Sequence, residues 1–361
     1  MKKRSFILYP FTWFYGLAIG IKNFLYDLSI AKSETFTIPV ICVGNLTVGG
    51  TGKTPHLEYI INLLRKDYNV AVVSRGYKRE SKGLQFASRR STVALIGDEP
   101  MQISRKFPGI VLAVDADRSR AIHAIMDQYP ETDVILMDDG FQHRSVKPGL
   151  SIILTDYGRL LTKDSLLPYG NLREGKRNLK RADAVVVTKV PVNVDDEEKK
   201  NTIASLAKYY DGDIFFTSFE YNDFAPVFAK SSHSLAPELT KDCSHTGIIL
   251  LTGISNPKPL KEWLEQRFKE VIVISYPDHH KFTDSDVTRI CKAFDTLRIP
   301  RKFIITTEKD TVRLRDFANF PRPIQPFCFY LRVEIDVLYG EKEKFDKTIT
   351  EFVANGSKKS N

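Results

Sequence analysis

One segment constrains the fold of this 361-residue chain more than any other, and it reads Gly49-Gly50-Thr51-Gly52-Lys53-Thr54. An apolar run at 37–43 precedes it, and a helical pattern at 54–66 follows it. In such a loop, glycines let backbone N–H groups converge on phosphate oxygens, and the helix N-terminus adds a favourable dipole. We therefore predict a loop that binds nucleotide phosphates, in which Lys53 reaches the β- and γ-phosphates and the Thr54 hydroxyl binds Mg²⁺.

The loop departs from the strict G-x-x-x-x-G-K-[ST] pattern, because Thr47 stands where the first glycine is expected. The G-G-x-G-K-T form resembles a variant found in related P-loop proteins. In that variant lysine often precedes the double glycine, whereas this chain has Val48. A structural glycine turn is the alternative, but the strand before the loop and the helix after it favour phosphate binding.

Two carboxylates, Asp138 and Asp139, follow a predicted buried strand at 134–137. Ligands of parallel α/β sheets bind at the carboxyl ends of the strands. A P-loop needs an acidic metal partner at such a position, so we predict that Asp138 holds Mg²⁺, directly or through water. The alternative is a pair of ordinary loop aspartates.

Short apolar segments alternate with helical ones, which predicts an α/β fold with a parallel sheet covered by helices on both faces. The predicted strands of the P-loop domain lie at 37–43, 69–74, 110–114, 133–137, 150–155 and 184–188. An extended connector at 215–239 leads to a second, smaller α/β domain with strands at 247–251, 271–274 and 303–306. We predict an N-terminal helix at 1–30, a P-loop domain at 31–216 and a C-terminal domain at 217–361 that completes an active-site cleft.

The composition excludes several classes of protein. A mean hydropathy of -0.23 excludes a polytopic membrane protein, and four scattered cysteines without a C-x-x-C pair argue against a disulfide framework. The net charge of +9 attracts the phosphates of nucleic acids, lipid headgroups or small substrates alike. Because no zinc-finger or RNA-recognition signature is present, we predict no nucleic-acid partner.

The N-terminal segment carries Lys2, Lys3 and Arg4 before an apolar, aromatic stretch at 5–21 that contains Pro10. A membrane-spanning helix needs roughly 20 apolar residues, and this stretch is slightly shorter. A signal peptide and a buried core helix are the alternatives. The aromatic side chains suit a bilayer interface, so we predict an anchor that lies in, or barely crosses, a membrane with its basic flank on the cytoplasmic side.

Seven segments occur together, and they read VGNLTVGGTGKTP (43–55), SRGY (74–77), GDEP (97–100), DDGFQH (138–143), NLRE (171–174), PDHH (277–280) and TTEKD (306–310). Their order, spacing and joint presence resemble the tetraacyldisaccharide 4′-kinase family of lipid A biosynthesis, from the N-terminal segment to about residue 314. The resemblance implies phosphorylation of the 4′-hydroxyl of a lipid A disaccharide 1-phosphate at the cytoplasmic face of the inner membrane. The implied cofactors are ATP and Mg²⁺. The implied partners are the acylated disaccharide 1-phosphate and membrane lipids, with no obligate protein partner.

The resemblance also implies roles for individual residues. Asp98 in GDEP is then the general base that accepts the proton of the sugar hydroxyl, and His279 in PDHH pairs with it. Lys53 completes the catalytic set, and Glu99 joins the Mg²⁺ shell. From the residues alone, Asp98 could instead serve only as a helix N-cap. A metal site is the alternative for the adjacent residues Asp278, His279 and His280.

The resemblance assigns four further residues to the phosphosugar, namely Arg118, Gln142, His143 and Arg173. Arginine suits phosphate because its planar fork binds two oxygens at once. The alternative is that both arginines are solvated surface residues. The residues at 308–310 resemble a charged loop after a strand and receive no role, and the stretch at 315–361 carries no motif.

The main alternative function is a membrane-associated P-loop ATPase switch, which the loop and the N-terminal segment fit equally well. Asp98 and His279 argue against it, because a switch does not need them, and no guanine-reading N-K-x-D segment is present. A third class is a non-catalytic phosphoglycolipid-binding module, against which the intact Lys53, Thr54 and Asp138 argue. The kinase interpretation predicts domain closure that brings His279 toward Asp98.

Overall fold

A computed structural model describes residues 8–191, 193–228, 243–254 and 256–357. Its strands are β1 (Val40–Asn45), β2 (Val70–Ser74), β3 (Gln85–Phe86), β4 (Val111–Val114), β5 (Val134–Asp138), β6 (Leu150–Asp156), β7 (Ala184–Thr188), β8 (Asp213–Pro226), β9 (Thr246–Thr252), β10 (Glu270–Ser275), β11 (Arg301–Thr307) and β12 (Cys328–Val337). Its helices are α1 (Tyr9–Asp27), α2 (Lys53–Leu64), α3 (Val93–Ile96), α4 (Asp98–Lys106), α5 (Arg118–Gln128), α6 (Asp196–Leu206), α7 (Lys258–Glu265), α8 (Asp284–Thr296), α9 (Glu308–Asp316) and α10 (Lys342–Ser357). The strands form one sheet in the order β10-β9-β11-β12-β8-β7-β6-β1-β5-β2-β4-β3.

The strands β7-β6-β1-β5-β2-β4 are all parallel, and we call them the N-terminal half-sheet. Helices α2 and α4 pack on one face and α5 and α6 on the other, so β1, β2, β5 and β7 are buried along their whole length. The predicted α/β class with a parallel sheet is confirmed. The first strand begins at Val40 and not at 37, because Pro39 has no N–H to donate to the sheet.

Strand β8 joins the two parts of the sheet. Its beginning pairs in parallel with β7, from Asp213 to Phe216, and the rest pairs antiparallel with β12, from Thr217 to Pro226. Part of the predicted connector is therefore a long strand, and its portion at 229–239 lies outside the described residues. The predicted boundary at 216–217 falls inside this strand, and the division into domains remains a prediction.

Strands β10-β9-β11-β12 are parallel and form what we call the C-terminal half-sheet. Three of them contain the segments predicted at 247–251, 271–274 and 303–306. Helix α7 packs on one face and α8 on the other. Two β/α units therefore share one continuous sheet, and the carboxyl ends of their parallel strands supply the site described below.

The elements that were not anticipated from the sequence include α9, β12 and α10. The prediction of a charged loop at 308–310 is wrong, because Thr307 caps a helix there by accepting from the Asp310 N–H. Helix α10 packs Phe345, Ile349 and Val353 into the core of the N-terminal half-sheet. Helix α10 thus returns to the N-terminal half-sheet.

Helix α1 lies against the N-terminal half-sheet at a few polar points. The Tyr15 hydroxyl donates to the Arg173 carbonyl at 2.9 Å, and Asn23 Nδ2 lies 3.4 Å from Glu174 Oε2. The opposite face exposes large apolar side chains, with Trp13 68% and Phe14 64% exposed. Within the described residues, no helix has the length and apolar character to cross a bilayer. The basic residues at 2–4 lie outside the described residues.

Candidate active site

The phosphate loop runs from the end of β1 to the start of α2. Gly49 and Gly52 have φ angles of 100° and 88°, in the left-handed region that glycine adopts because it has no Cβ. The Asn45 amide donates to Thr51 Oγ1 at 2.8 Å, and the Thr188 hydroxyl donates to the Thr51 carbonyl at 2.8 Å. Strands β1 and β7 therefore hold the loop that the sequence predicted at 49–54.

His56 on α2 ties the loop to the centre of the sheet. Its Nδ1 lies 2.7 Å from the Gly52 carbonyl and so acts as the donor, while Nε2 lies 2.9 Å from Thr217 Oγ1. Burial lowers the pKa of His56 to about 4, so the ring is neutral near pH 7. This link between the P-loop and β8 was not predicted from the sequence.

Lys53 begins α2 and faces the end of β5. Its Nζ lies 3.7 Å from Asp139 Oδ1, and Arg173 Nη1 contacts both oxygens of Asp139 at 2.9 and 3.0 Å. Burial would by itself raise the pKa of Asp139, but the charges of Lys53 and Arg173 hold that pKa below its ordinary value. Asp139 is therefore an anion held between two cations, one from the P-loop and one from the NLRE segment.

Asp138 ends β5 and is buried, with the Ser74 hydroxyl donating to its Oδ2 at 2.9 Å. Burial raises the pKa of Asp138 to about 7, and the negative charges of Glu99 and Asp139 add to the effect. A bound cation would relieve this repulsion, so the carboxylates fit a Mg²⁺ site. Among the described residues, no three His, Cys, Asp or Glu side chains form a ready metal cage. Mg²⁺ in phosphate-transfer sites uses only one or two carboxylates besides phosphate and water.

Asp98 opens α4 in the interior of the molecule. The N-cap of that helix is Gly97, whose φ is 91°, and the Asp98 side chain makes no capping bond. The alternative of a pure N-cap role is therefore wrong. Asp98 Oδ2 accepts from His279 Nδ1 and, at 2.8 Å, from Arg313 Nη2. Burial opposes ionisation, yet these hydrogen bonds hold the pKa of Asp98 below its ordinary value.

His279 follows β10 and reaches across to α4. Its Nδ1 contacts Asp98, and its Nε2 lies 3.5 Å from Asp278 Oδ2. His280 turns elsewhere, with its Nε2 2.8 Å from Asp286 Oδ2 and its ring stacked on Tyr276. Because the two histidines bind different partners, the alternative of a shared metal site is wrong. His279 and Asp98 are already in contact in this structure, and domain closure on substrate binding stays a prediction.

Helix α9 supplies two cations that the sequence did not single out. Lys309 Nζ lies 2.8 Å from Asp278 Oδ1 and 3.9 Å from Glu99 Oε1. Arg313 Nε lies 2.7 Å from Asp98 Oδ1. The available signal was the spacing of Lys309 and Arg313, four residues apart and so on one face of a helix that begins where β11 ends.

The four residues predicted for the phosphosugar lie around the same strand ends. Gln142 Oε1 accepts from Arg173 Nη1 at 3.2 Å, and its Nε2 donates to the Asn45 carbonyl at 2.8 Å. His143 Nε2 lies 3.4 Å from the Arg118 backbone N. The Arg118 side chain is buried and Arg173 is only partly exposed, so the interpretation of both as solvated surface residues is wrong.

Comparison with known proteins decides the family to which this site belongs. A family model described as "Tetraacyldisaccharide-1-P 4'-kinase" matches residues 4–354. The chain belongs to this kinase family. Its resemblance to the family, inferred from seven short segments, is thereby confirmed over almost the whole sequence.

The chain is similar to members of this kinase family from several organisms. The chain is 41% identical over 358 residues to a tetraacyldisaccharide 4′-kinase of Bacteroides thetaiotaomicron, covering 98% of this chain and 94% of the relative. It is 42% identical over 356 residues to that of Phocaeicola vulgatus, covering 98% and 96%. A crystal structure of Aquifex aeolicus LpxK in complex with ATP matches with a TM-score of 0.73 and 28% identity, covering 96% of this chain and 98% of that one.

The kinase site opens into a cavity of about 680 Å³ between the two half-sheets. The P-loop lines it together with aromatic side chains from β8 and α7, namely Phe219, Tyr221 and Trp263, and the Phe219 ring lies against Gly52. Lys189, which follows β7, contributes the wall beside the loop, where its Nζ contacts the Gly50 carbonyl. The cavity therefore combines a phosphate loop with aromatic side chains that suit a planar base.

Proposed function

We propose that this chain transfers the γ-phosphate of ATP to the 4′-hydroxyl of an acylated disaccharide 1-phosphate, a lipid A precursor. The observation that carries the proposal is the pair of His279 and Asp98, held beside the P-loop machinery. Glu99, the next residue after Asp98, is near enough to Asp138 to raise its pKa. A hydroxyl-activating pair and a nucleotide-phosphate site thus share one cleft, as a kinase needs and a switch does not.

The geometry favours His279 as the proton acceptor and Asp98 as its partner, the reverse of the roles implied by the resemblance. Asp98 is buried, and both of its oxygens contact Arg313 or His279, which leaves it poorly placed to take another proton. The Nε2 of His279 faces away from Asp98 and is free to accept one. The hydroxyl proton passes to Nε2 as the oxygen–phosphorus bond forms and the bond to ADP breaks, and Asp98 stabilises the imidazolium through Nδ1–H.

Two parts of the cleft support ATP as the donor. The P-loop offers backbone N–H groups and Lys53 to the phosphates, and the cavity beyond it offers aromatic walls for the base. The Aquifex aeolicus relative, similar over nearly the full chain, is described in complex with ATP. Thr54 and Asp138, with Glu99 nearby, would hold Mg²⁺, which when bound neutralises charge on the transferred group.

The acceptor side is supported by buried and partly buried cations. Arg118 is buried, and within the described part of the chain its Nε lacks a hydrogen-bond partner, so the guanidinium can still bind an anion. Arg173 and His143 lie beside it at the same strand ends. The apolar face of α1, fastened next to Arg173 through Tyr15, gives the acyl chains or a bilayer an adjacent surface. We therefore propose that the protein works at the cytoplasmic face of the inner membrane.

The test is transfer of label from γ-labelled ATP to a tetraacyl disaccharide 1-phosphate in mixed micelles containing Mg²⁺. The natural chain should label the lipid, and Lys53→Met should reduce transfer on the order of 10²–10³-fold, the usual loss when one charge-stabilising group is removed. Lys66→Met, an exposed lysine just after α2, is the matched control and should transfer normally. ATP hydrolysis without labelled lipid would overturn the proposal in favour of an ATPase switch.

A further inference from the structure

Helices α4 and α9 come from opposite half-sheets and face each other with complementary charge. The first turn of α4 is acidic, with Asp98 and Glu99, and its last turn is basic. Each end meets the opposite charge on α9, through ion pairs that join Asp98 to Arg313, Glu99 to Lys309, Lys106 to Glu308 and Arg105 to Asp316. The proposed catalytic function used Asp98 and Glu99 from the α4 side of this surface, so the α9 partners have no role yet.

Arg313 contacts Asp98 through two guanidinium nitrogens. Nε lies 2.7 Å from Oδ1, and Nη2 donates to Oδ2 at 2.8 Å. Only the Nη2–Oδ2 contact has hydrogen-bond geometry, since Nε and Oδ1 both lack a hydrogen-bond partner within the described residues. The hydrogen bond and the ion pair together place both oxygens of the carboxylate against one planar guanidinium. Oδ2 also accepts from His279 Nδ1. The orientation of the imidazole is therefore set through Asp98 by Arg313.

Burying this ion pair costs desolvation free energy, so its presence calls for an explanation other than stability. The Arg313 and Asp98 side chains are 12% and 2% exposed, and that of His279 is 8% exposed. Desolvation of buried ion pairs offsets most of their attraction, and well-packed apolar residues often stabilise a fold as well or better. Stability alone thus gives little reason for three ionisable groups at this position.

We propose that Arg313 is a positioning residue for the transfer reaction, which acts on His279 only through Asp98. This inference rests on the proposed roles of His279 and Asp98. Lys309 acts in parallel on the other side of the imidazole, where its contact with Asp278 holds that carboxylate within 3.5 Å of Nε2. Helix α9 follows a strand of the C-terminal half-sheet, whereas α4 packs on the N-terminal half-sheet. The base, His279, is therefore aligned only where the two half-sheets adjoin.

A direct role for Arg313 in binding the transferred phosphoryl group is the main competing explanation. Its guanidinium already contacts both oxygens of Asp98, and the cavity beside the P-loop is not lined by Arg313. A double-mutant cycle separates the two ideas, because a residue that acts through Asp98 loses its effect once Asp98 is neutralised.

The experiment compares the natural chain with Arg313→Met, Arg313→Lys, Asp98→Asn and the double variant Asp98→Asn/Arg313→Met in the micelle transfer assay. We expect Arg313→Met to lower kcat roughly 10- to 100-fold, as misplaced catalytic groups do, with little change in KM for ATP. Arg313→Lys should recover part of the loss. The double variant should transfer no more slowly than Asp98→Asn alone. Arg298→Met, an exposed arginine between α8 and β11, is the control.

The coupling between Arg313 and Asp98 gives a readout that a merely structural role would not move. A general loss of folded enzyme lowers transfer by the same factor in either background, whereas a loss of imidazole alignment has no further effect once Asp98 is neutralised. Melting temperatures of all variants are measured alongside, and Arg313→Lys serves if Arg313→Met does not fold.

Two results would overturn the positioning role. One is an Arg313→Met enzyme with unchanged kcat. The other is a double variant slower than Asp98→Asn by the full factor of the single Arg313 change, which would place Arg313 on the reacting atoms. If Asp98→Asn is itself fully active, the proposed role of the His279–Asp98 pair fails instead, and this is a different outcome from either.

Discussion

The imidazole of His279 and the carboxylate of Asp98 lie 181 residues apart in the chain and are joined through Nδ1 and Oδ2. The contact crosses from the C-terminal half-sheet to the N-terminal one, and it leaves Nε2 directed away from Asp98. Asp278 lies on that side at 3.5 Å. In this arrangement a carboxylate orients a histidine base, so Asp98 and His279 have different roles that can be tested separately.

His279→Gln should lower kcat for phosphoryl transfer by about 10²–10⁴, the contribution of a positioned general base, while ATP binding persists. The amide keeps the size of the side chain but cannot take the proton. His280→Gln is the matched control, because His280 binds Asp286 and not Asp98, and it should affect only thermal stability. Comparable losses in both variants, measured by single-turnover transfer, would contradict the assignment.

The neutral His56 makes stability depend on pH. Its pKa is about 4 in the folded protein and 6.5 in the unfolded chain, so the unfolded state binds more protons between these values. The free energy of unfolding should therefore have its full value above pH 6.5 and fall as the pH drops toward 4. The contribution of His56 to this fall is about 3 kcal/mol.

Urea titrations at pH 7 and pH 4.5 should show a smaller loss of stability in His56→Gln than in the natural chain. The glutamine variant is less stable at pH 7, since its contacts with Gly52 and Thr217 are altered. An equal pH dependence in both proteins would show that other groups carry the acid sensitivity.

The exposed face of α1 should bind lipid. Replacing Trp13 and Phe14 together by Glu removes two large apolar side chains from that face, each worth about 1.5–3 kcal/mol when fully buried. We expect affinity for vesicles containing anionic lipid to fall at least roughly tenfold in a sedimentation assay.

The charge-matched control is Lys347→Glu on the exposed side of α10, which changes the net charge by the same two units. It should sediment with vesicles like the natural chain. If both variants lose binding equally, the interaction is electrostatic and the apolar face of α1 has no special part in it.

The C-terminal helix should contribute strongly to the stability of the N-terminal half-sheet. Phe345 is fully buried, and its ring centroid lies 4.9 Å from that of Phe215 on β8. Phe345→Ala should lower the free energy of unfolding by about 3–5 kcal/mol, the usual cost of such a cavity. Thr348→Ala, a partly exposed neighbour, should cost far less in the same urea titration. Similar losses would mean that α10 is not anchored through its apolar face.

Local patterns predicted the parts of this protein that depend on nearby residues. The segment at 49–54 is a phosphate loop wherever a strand precedes it and a helix follows, and both neighbours were visible as apolar and helical periodicity. The buried strands of the parallel sheet gave equally clear apolar runs. The segment at 308–310 was predicted as a charged loop but is helical, because its helix depends on the cap from Thr307 and on contacts with α4.

By itself, the sequence determined the α/β class, the phosphate loop, the family and many of the residues placed at the site, because short runs of residues and their order carry those features. The family resemblance implied that His279 pairs with Asp98, but only the tertiary structure showed that Arg313 and Lys309 join them. The partnership of Asp98 with His279 and Arg313 depends on how β8 joins the half-sheets, and residues 181 and 215 positions apart share no local periodicity that could reveal it. Side-chain roles in proton transfer follow from those contacts and from burial, which are properties of the folded chain.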